Sequence, residues 1–165
     1  MSAYIELIFP VTLLAAATSD IVRYEIPNGL PIALLVGFLA YALASDRSVI
    51  DIGASLACGF LVLAVGATLF RLNWLGGGDV KLLAAATPWV GWAELPAFMI
   101  WVAIWGGALA LVLLIGRRLD WVNSVISMKW WRRLWSNDSG IPYAVAICAG
   151  GLSIMGDIMK SEGIW

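Results

Sequence analysis

The sequence predicts an all-α, polytopic membrane protein of about six transmembrane helices with an amphipathic segment on its inner surface. Three observations carry that expectation. The chain has 165 residues, 62% of them hydrophobic and 13% charged, with a mean hydropathy of +0.91; soluble domains are about half apolar and a quarter charged. Its apolar residues run continuously instead of alternating, which suits helices and not barrel strands. Its charges gather between runs that approach the ~20 residues needed to cross a bilayer. No repeat, low-complexity tract or linker divides the chain, so residues 1–165 read as one integral-membrane domain.

The first run, 3–20, contains Glu6 and Pro10 and has no basic start. It is therefore expected to be a retained span and not a cleaved signal. Pro27 cannot donate a backbone hydrogen bond and pushes the residue before it out of helix. Asn28 and Gly29 then favour a turn, so the first helix is expected to end near Asp20 and the second, 29–45, to start near Asn28. The third run is 49–70. The fourth, 80–94, carries Pro88 and Gly91 and is expected either to cross with help from neighbours or to be partly re-entrant. The fifth and sixth runs are 96–116 and 140–157. Residues 117–139 mix Arg, Lys and Trp with Leu, Val and Ile, the composition of a helix lying in the membrane interface; an irregular basic loop is the alternative.

The distribution of cations orients the bundle. With the amino terminus outside, the inner side collects Arg23, Arg71, Lys81, Arg117, Arg118, Lys129, Arg132 and Arg133, leaving Arg47 and Lys160 outside. Positive charge marks the cytoplasmic side, so both termini are expected to face out. Asp20 and Asp79 then fall at the same inner depth.

Composition also excludes. A net charge of −1 argues against a nucleic-acid partner. The chain has no His, so a Ser–His pair is unavailable. Cys58 and Cys148 stand alone in apolar runs, with no CxxC pair. They read as packing residues, and neither a metal nor a cofactor is expected.

The stretch "WLGGGDVKLL", residues 74–83, interrupts this apolar chain. Gly76, Gly77 and Gly78 free the backbone and permit close approach of another chain beside Asp79. A flexible loop with Asp79 as a helix N-cap is the plainer alternative. Lys81 either snorkels to the inner surface or tunes Asp79. Asp20, taken alone, could be an ordinary interfacial acid, and the Ile-Pro-Asn-Gly segment after it an ordinary turn. Two carboxylates at one depth permit aspartic-protease chemistry, in which a shared proton lets one acid activate water while the other polarises the scissile carbonyl. A proton-coupled transporter or channel would use the same acids and the same helix break, although it would hold them nearer the midplane. A non-enzymatic assembly subunit is a third reading, and it leaves the glycine–acid stretch without a purpose.

"SDIVRYEIPNGL" followed by "GGGDVK" resembles the type IV prepilin peptidases, a branch of the GxGD intramembrane aspartic proteases. The GxGD pattern falls on Gly76 to Asp79, with the family's Lys at Lys81. The family's first aspartate falls on Asp20, with Ile26, Pro27 and Asn28 matching, and "IPYAVAICAG" adds Pro142 and Tyr143. The resemblance implies catalysis by Asp20 and Asp79, supported by Gly76, Gly77, Gly78, Lys81, Pro27 and Asn28. It implies a prepilin or pseudopilin substrate whose short basic leader is cut at the cytoplasmic face of the bacterial inner membrane, and an association with the pilus-assembly machinery. The larger bifunctional members carry an N-terminal cytosolic segment with paired CxxC motifs linked to N-methylation. Here Met1 nearly abuts the first span, so methyltransferase activity is not expected. The short form looks most like the peptidases of Flp-type, tight-adherence pili, with archaeal preflagellin peptidases as close relatives.

Overall fold

The computed structural model describes residues 7–45, 47–118, 134–136 and 140–161, with side chains as far as Met155. Among the described residues five helices form and no strand occurs. They are α1 (Ile8–Arg23), α2 (Gly29–Ala44), α3 (Val49–Arg71), α4 (Gly77–Arg117) and α5 (Ala144–Ser161). Two of them, α3 and α4, are long and apolar enough to cross a membrane. The expected interfacial segment 117–139 lies outside the described residues except at its ends.

Each boundary has a local cause. α1 runs one turn past the predicted end near Asp20 and stops when Tyr24 turns left-handed at φ 57°, its N–H donating to the Asp20 carbonyl. Arg23 in that last turn complements the negative end of the helix dipole. Asn28 and Pro27 then open α2, as the turn residues predict. Ser48 caps α3, its hydroxyl oxygen accepting the Asp51 N–H at 3.1 Å. Gly76 is the N-cap of α4 and Asp79 its third helical residue. The N-capping role considered for Asp79 therefore belongs to Gly76.

The fourth and fifth apolar runs are one helix by hydrogen bonding, but the helix turns back on itself at Gly91. There φ is 72° and ψ is 178°, a conformation open in practice only to glycine. Before the break, α4 runs parallel to α2: Lys81 meets Asn28, and the Trp89 indole N–H donates to the Leu34 carbonyl at 2.9 Å. Beyond it, α4 runs antiparallel to α5: Trp105 Nε1 donates to Ser153 Oγ, while Arg117 reaches the Gly140 carbonyl. The first arm, Gly77 to Val90, rises only about 21 Å, less than the ~30 Å hydrocarbon core.

Small residues set the helix spacing, as they do where apolar helices pack without a hydrophobic driving force. A Cβ on Gly59 of α3 would stand 2.9 Å from the Ala84 carbonyl oxygen of α4. Pro88 has no N–H to give that carbonyl within the helix, so close approach of α3 occupies the gap. A Cβ on Gly150 of α5 would meet the Val102 backbone nitrogen at 2.9 Å. Away from the acidic end, Trp89 gathers Phe9, Phe38 and Tyr41, with ring centroids 5.6–6.0 Å apart. The outward faces of α2, α3 and α4 remain apolar and exposed, with Val36, Phe60, Val65, Ile100 and Leu111 among the exposed residues. A surface of that character suits lipid better than water.

Candidate active site

The ends of α1 and α4, and the start of α2, enclose a polar cavity of about 560 Å³. Asp20 and Asp79 both line it, with Pro27, Asn28, Gly77, Gly78 and Lys81. Of the residues singled out in the sequence, Gly76, Pro142 and Tyr143 are absent from the wall, and Gly76 adjoins it in the chain.

Asp20 is in the last turn of α1 and is 7% exposed. Its Oδ2 accepts the backbone N–H of Ala144 at 3.0 Å, across 124 positions of sequence. Ala144 is the first residue of α5, so the positive end of that helix dipole faces the carboxylate. This explains the "IPYA" stretch: Pro142 and Tyr143 directly precede α5 and present its start to Asp20. Ser19, next in sequence, fixes the turn after α1 through its hydroxyl, which donates to the Glu25 carbonyl at 2.8 Å.

Asp79 lies in the first turn of α4, where an acid complements the dipole of its own helix. It folds back so that its carboxylate accepts from the Gly76 backbone, and it is close enough to Asp20 to interact with it electrostatically. This is half of a capping box, with an acid at the third position serving the N-cap amide.

The glycines act through space and not through unusual dihedrals. Gly76 has φ −70°, and Gly91 is the one described glycine with positive φ. A Cβ on Gly76 would stand 2.7 Å from Asp79 Oδ2. One on Gly77 would reach the Phe70 ring at 3.3 Å, and one on Gly78 would reach Ile26 Cβ at 3.3 Å. The expectation of close approach thus gains named partners, whereas the expectation of conformations closed to other residues does not hold here.

Lys81 does not simply snorkel outward. Its Nζ donates to Asn28 Oδ1 at 3.0 Å. Asn28 occupies the N-cap position of α2 but makes no capping bond with its side chain; the amide serves Lys81 instead. That bond ties the segment after Asp20 to the helix carrying Asp79. Sequence reasoning missed Arg23, Tyr24 and Glu25 in the cavity wall, although their position between the two motifs was a usable signal. Tyr143, noted only as a family match, is electrostatically coupled to Asp79. Among the described residues, no three of His, Cys, Asp and Glu cluster so as to hold a metal ion.

Fold and site together define a helical membrane-type bundle with a carboxylate pair in a polar cavity at one end. The profile of the type IV leader peptidase family matches residues 7–111, and the chain belongs to that family. It is similar to the prepilin leader peptidase/N-methyltransferase of Burkholderia pseudomallei, in strains 1026b and K96243, with 30% identity over 87% of this chain and 43% of each relative. The enzyme of that name from Legionella pneumophila is 28% identical over 87% of this chain and 46% of its own length. The chain therefore spans less than half the length of these curated relatives. No solved structure matches it.

Proposed function

We propose that this protein is an aspartic endopeptidase that removes the leader of type IV prepilins or pseudopilins, of the Flp type, at the cytoplasmic face of the bacterial inner membrane. The single observation that carries the reading is the shared cavity of Asp20 and Asp79, lined by both motifs. Family membership and the names of the curated relatives support the substrate class. The apolar exposed faces and the bias of cations support a bundle of six spans with the cavity facing in.

In this mechanism one carboxylate is ionised and takes a proton from water, and the resulting hydroxide attacks the scissile carbonyl carbon. The other is protonated and hydrogen-bonds the carbonyl oxygen as it becomes an oxyanion. Collapse of the tetrahedral intermediate breaks the C–N bond, and a proton passes to the leaving amine. The Ala144 N–H and the α5 dipole suit Asp20 to hold negative charge, which favours Asp20 as the base. Neither acid lies near the middle of its helix, where a proton-coupled transporter would need it.

The test is processing of a purified prepilin in detergent, followed by gel shift. Wild-type protein should cut it, and Asp20→Asn and Asp79→Asn proteins should not. Normal processing by either variant, with contaminating peptidase controlled for, would sink the aspartic mechanism.

A further inference from the structure

A second cavity, of about 560 Å³, lies on the membrane-facing side of the bundle. α2 and α3 are joined by a short connection, yet each packs on α4 instead of on the other. The wedge between them is walled by Ile32, Leu35 and Leu39 of α2 and by Phe60 and Leu63 of α3. Its floor is Gly59, Ala84, Ala85 and Pro88, all small or flat. Gly59 brings α3 into contact with the Ala84 backbone, so the floor lies low between two raised walls. Small floors of this kind let another apolar helix approach closely.

The groove adjoins the acidic cavity. Asn28 and Lys81 line both, and the hydrogen bond between them is the ridge that separates the two. On one side stand Asp20, Glu25 and Asp79; on the other the lining is almost wholly apolar. From Asn28 to Leu39 the groove follows three turns of α2, about 16 Å.

We propose that this groove receives an apolar helical segment adjoining the scissile bond of a membrane-anchored substrate, and so sets which peptides are cut. The assignment rests on the peptidase reading and deepens it. A peptide lying extended across the two acids crosses the Lys81–Asn28 ridge and continues as a helix along α2 for about three turns. Its apolar side chains fill the wedge while its polar leader stays in the acidic cavity. This arrangement fixes the register of the cleaved bond, because the point where polar chain becomes apolar is held at the ridge.

Two measurements test it. A photo-crosslinking residue at Leu35 of the full chain, in membranes containing a co-expressed prepilin, should cross-link to the prepilin. Cross-links confined to lipid or to a second copy of the chain overturn the assignment. Second, Leu39→Trp and Phe60→Trp proteins, which crowd the groove from opposite walls, are assayed on a full-length prepilin and on a soluble peptide that ends shortly after the scissile bond. KM for the prepilin should rise about tenfold more than KM for the peptide, with kcat for both little changed, the pattern of lost ground-state binding. Leu111→Trp, on an exposed face of α4 away from the groove, serves as the control and should alter neither substrate. Equal effects on the two substrates, or none in folded variants, overturn the groove assignment and leave the peptidase intact. If wild-type protein cuts neither substrate, the peptidase reading and the groove assignment fall together.

Discussion

At the scale of single residues, the two acids should behave as one unit. Asp20→Asn and Asp79→Asn keep size but remove the titrating group, and each is expected to lower kcat by about 10²–10⁴-fold. The double variant should be little worse than either, because groups that act together are strongly non-additive. Gly76→Ala is the sharper test of geometry. Its φ of −70° suits alanine, yet the new methyl would stand 2.7 Å from Asp79 Oδ2. The carboxylate must swing away, so processing should fall at least about tenfold while detergent melting temperature and protein level hold. Unchanged processing would mean that this orientation of Asp79 is not the working one. Lys81→Met should be milder than any of these, since its bond to Asn28 is exposed. A double-mutant cycle with Asn28→Ala should return a coupling of about 0.5–1 kcal/mol. The acids and their flanking motifs were legible in the sequence because each is a residue type with its own chemistry. The Ala144 N–H was not legible: every residue except proline offers such a donor, and only the fold selects one.

At the scale of elements, the positions of the helices, though not which of them cross a membrane, were legible because hydropathy records length and composition. It does not record direction, so the reversal of α4 could not be read as such. Gly91 was visible only as a suspect residue in a short span. In the structure it lets two helical arms join with no loop between them, at φ 72° and ψ 178°. Gly91→Ala has open space for its methyl but not an accessible conformation. It is expected to destabilise the fold by about 1–3 kcal/mol, seen as a lower melting temperature in detergent, with specific activity of the surviving folded fraction little altered. An unchanged melting temperature would mean that the turn does not need glycine. The glycines of α3 and α5 were likewise ambiguous in the sequence. Their use depends on partners such as Ala84 and Val102 that lie far away along the chain.

At the scale of the whole molecule, orientation is the open prediction. Cysteines are introduced singly at Ser45 and Ser136, with Cys58 and Cys148 replaced by alanine. An impermeant thiol reagent applied to intact cells should label the first and spare the second, since eight of the ten cations then lie inside. The reverse pattern would turn the cavity outward. The contact between Asp20 and Ala144 also has a bearing on the order of synthesis. The first acid is made early, but the amide that holds it comes from the last described helix. A nascent chain that has inserted only its first four helices carries both carboxylates and lacks the group that fixes one of them. If the proposed function holds, such a chain should be inert toward pilin precursors already in the membrane until α5 has been made. Expressing residues 1–139 alone should give an inserted but inactive protein, and supplying residues 140–165 as a separate polypeptide should restore cleavage.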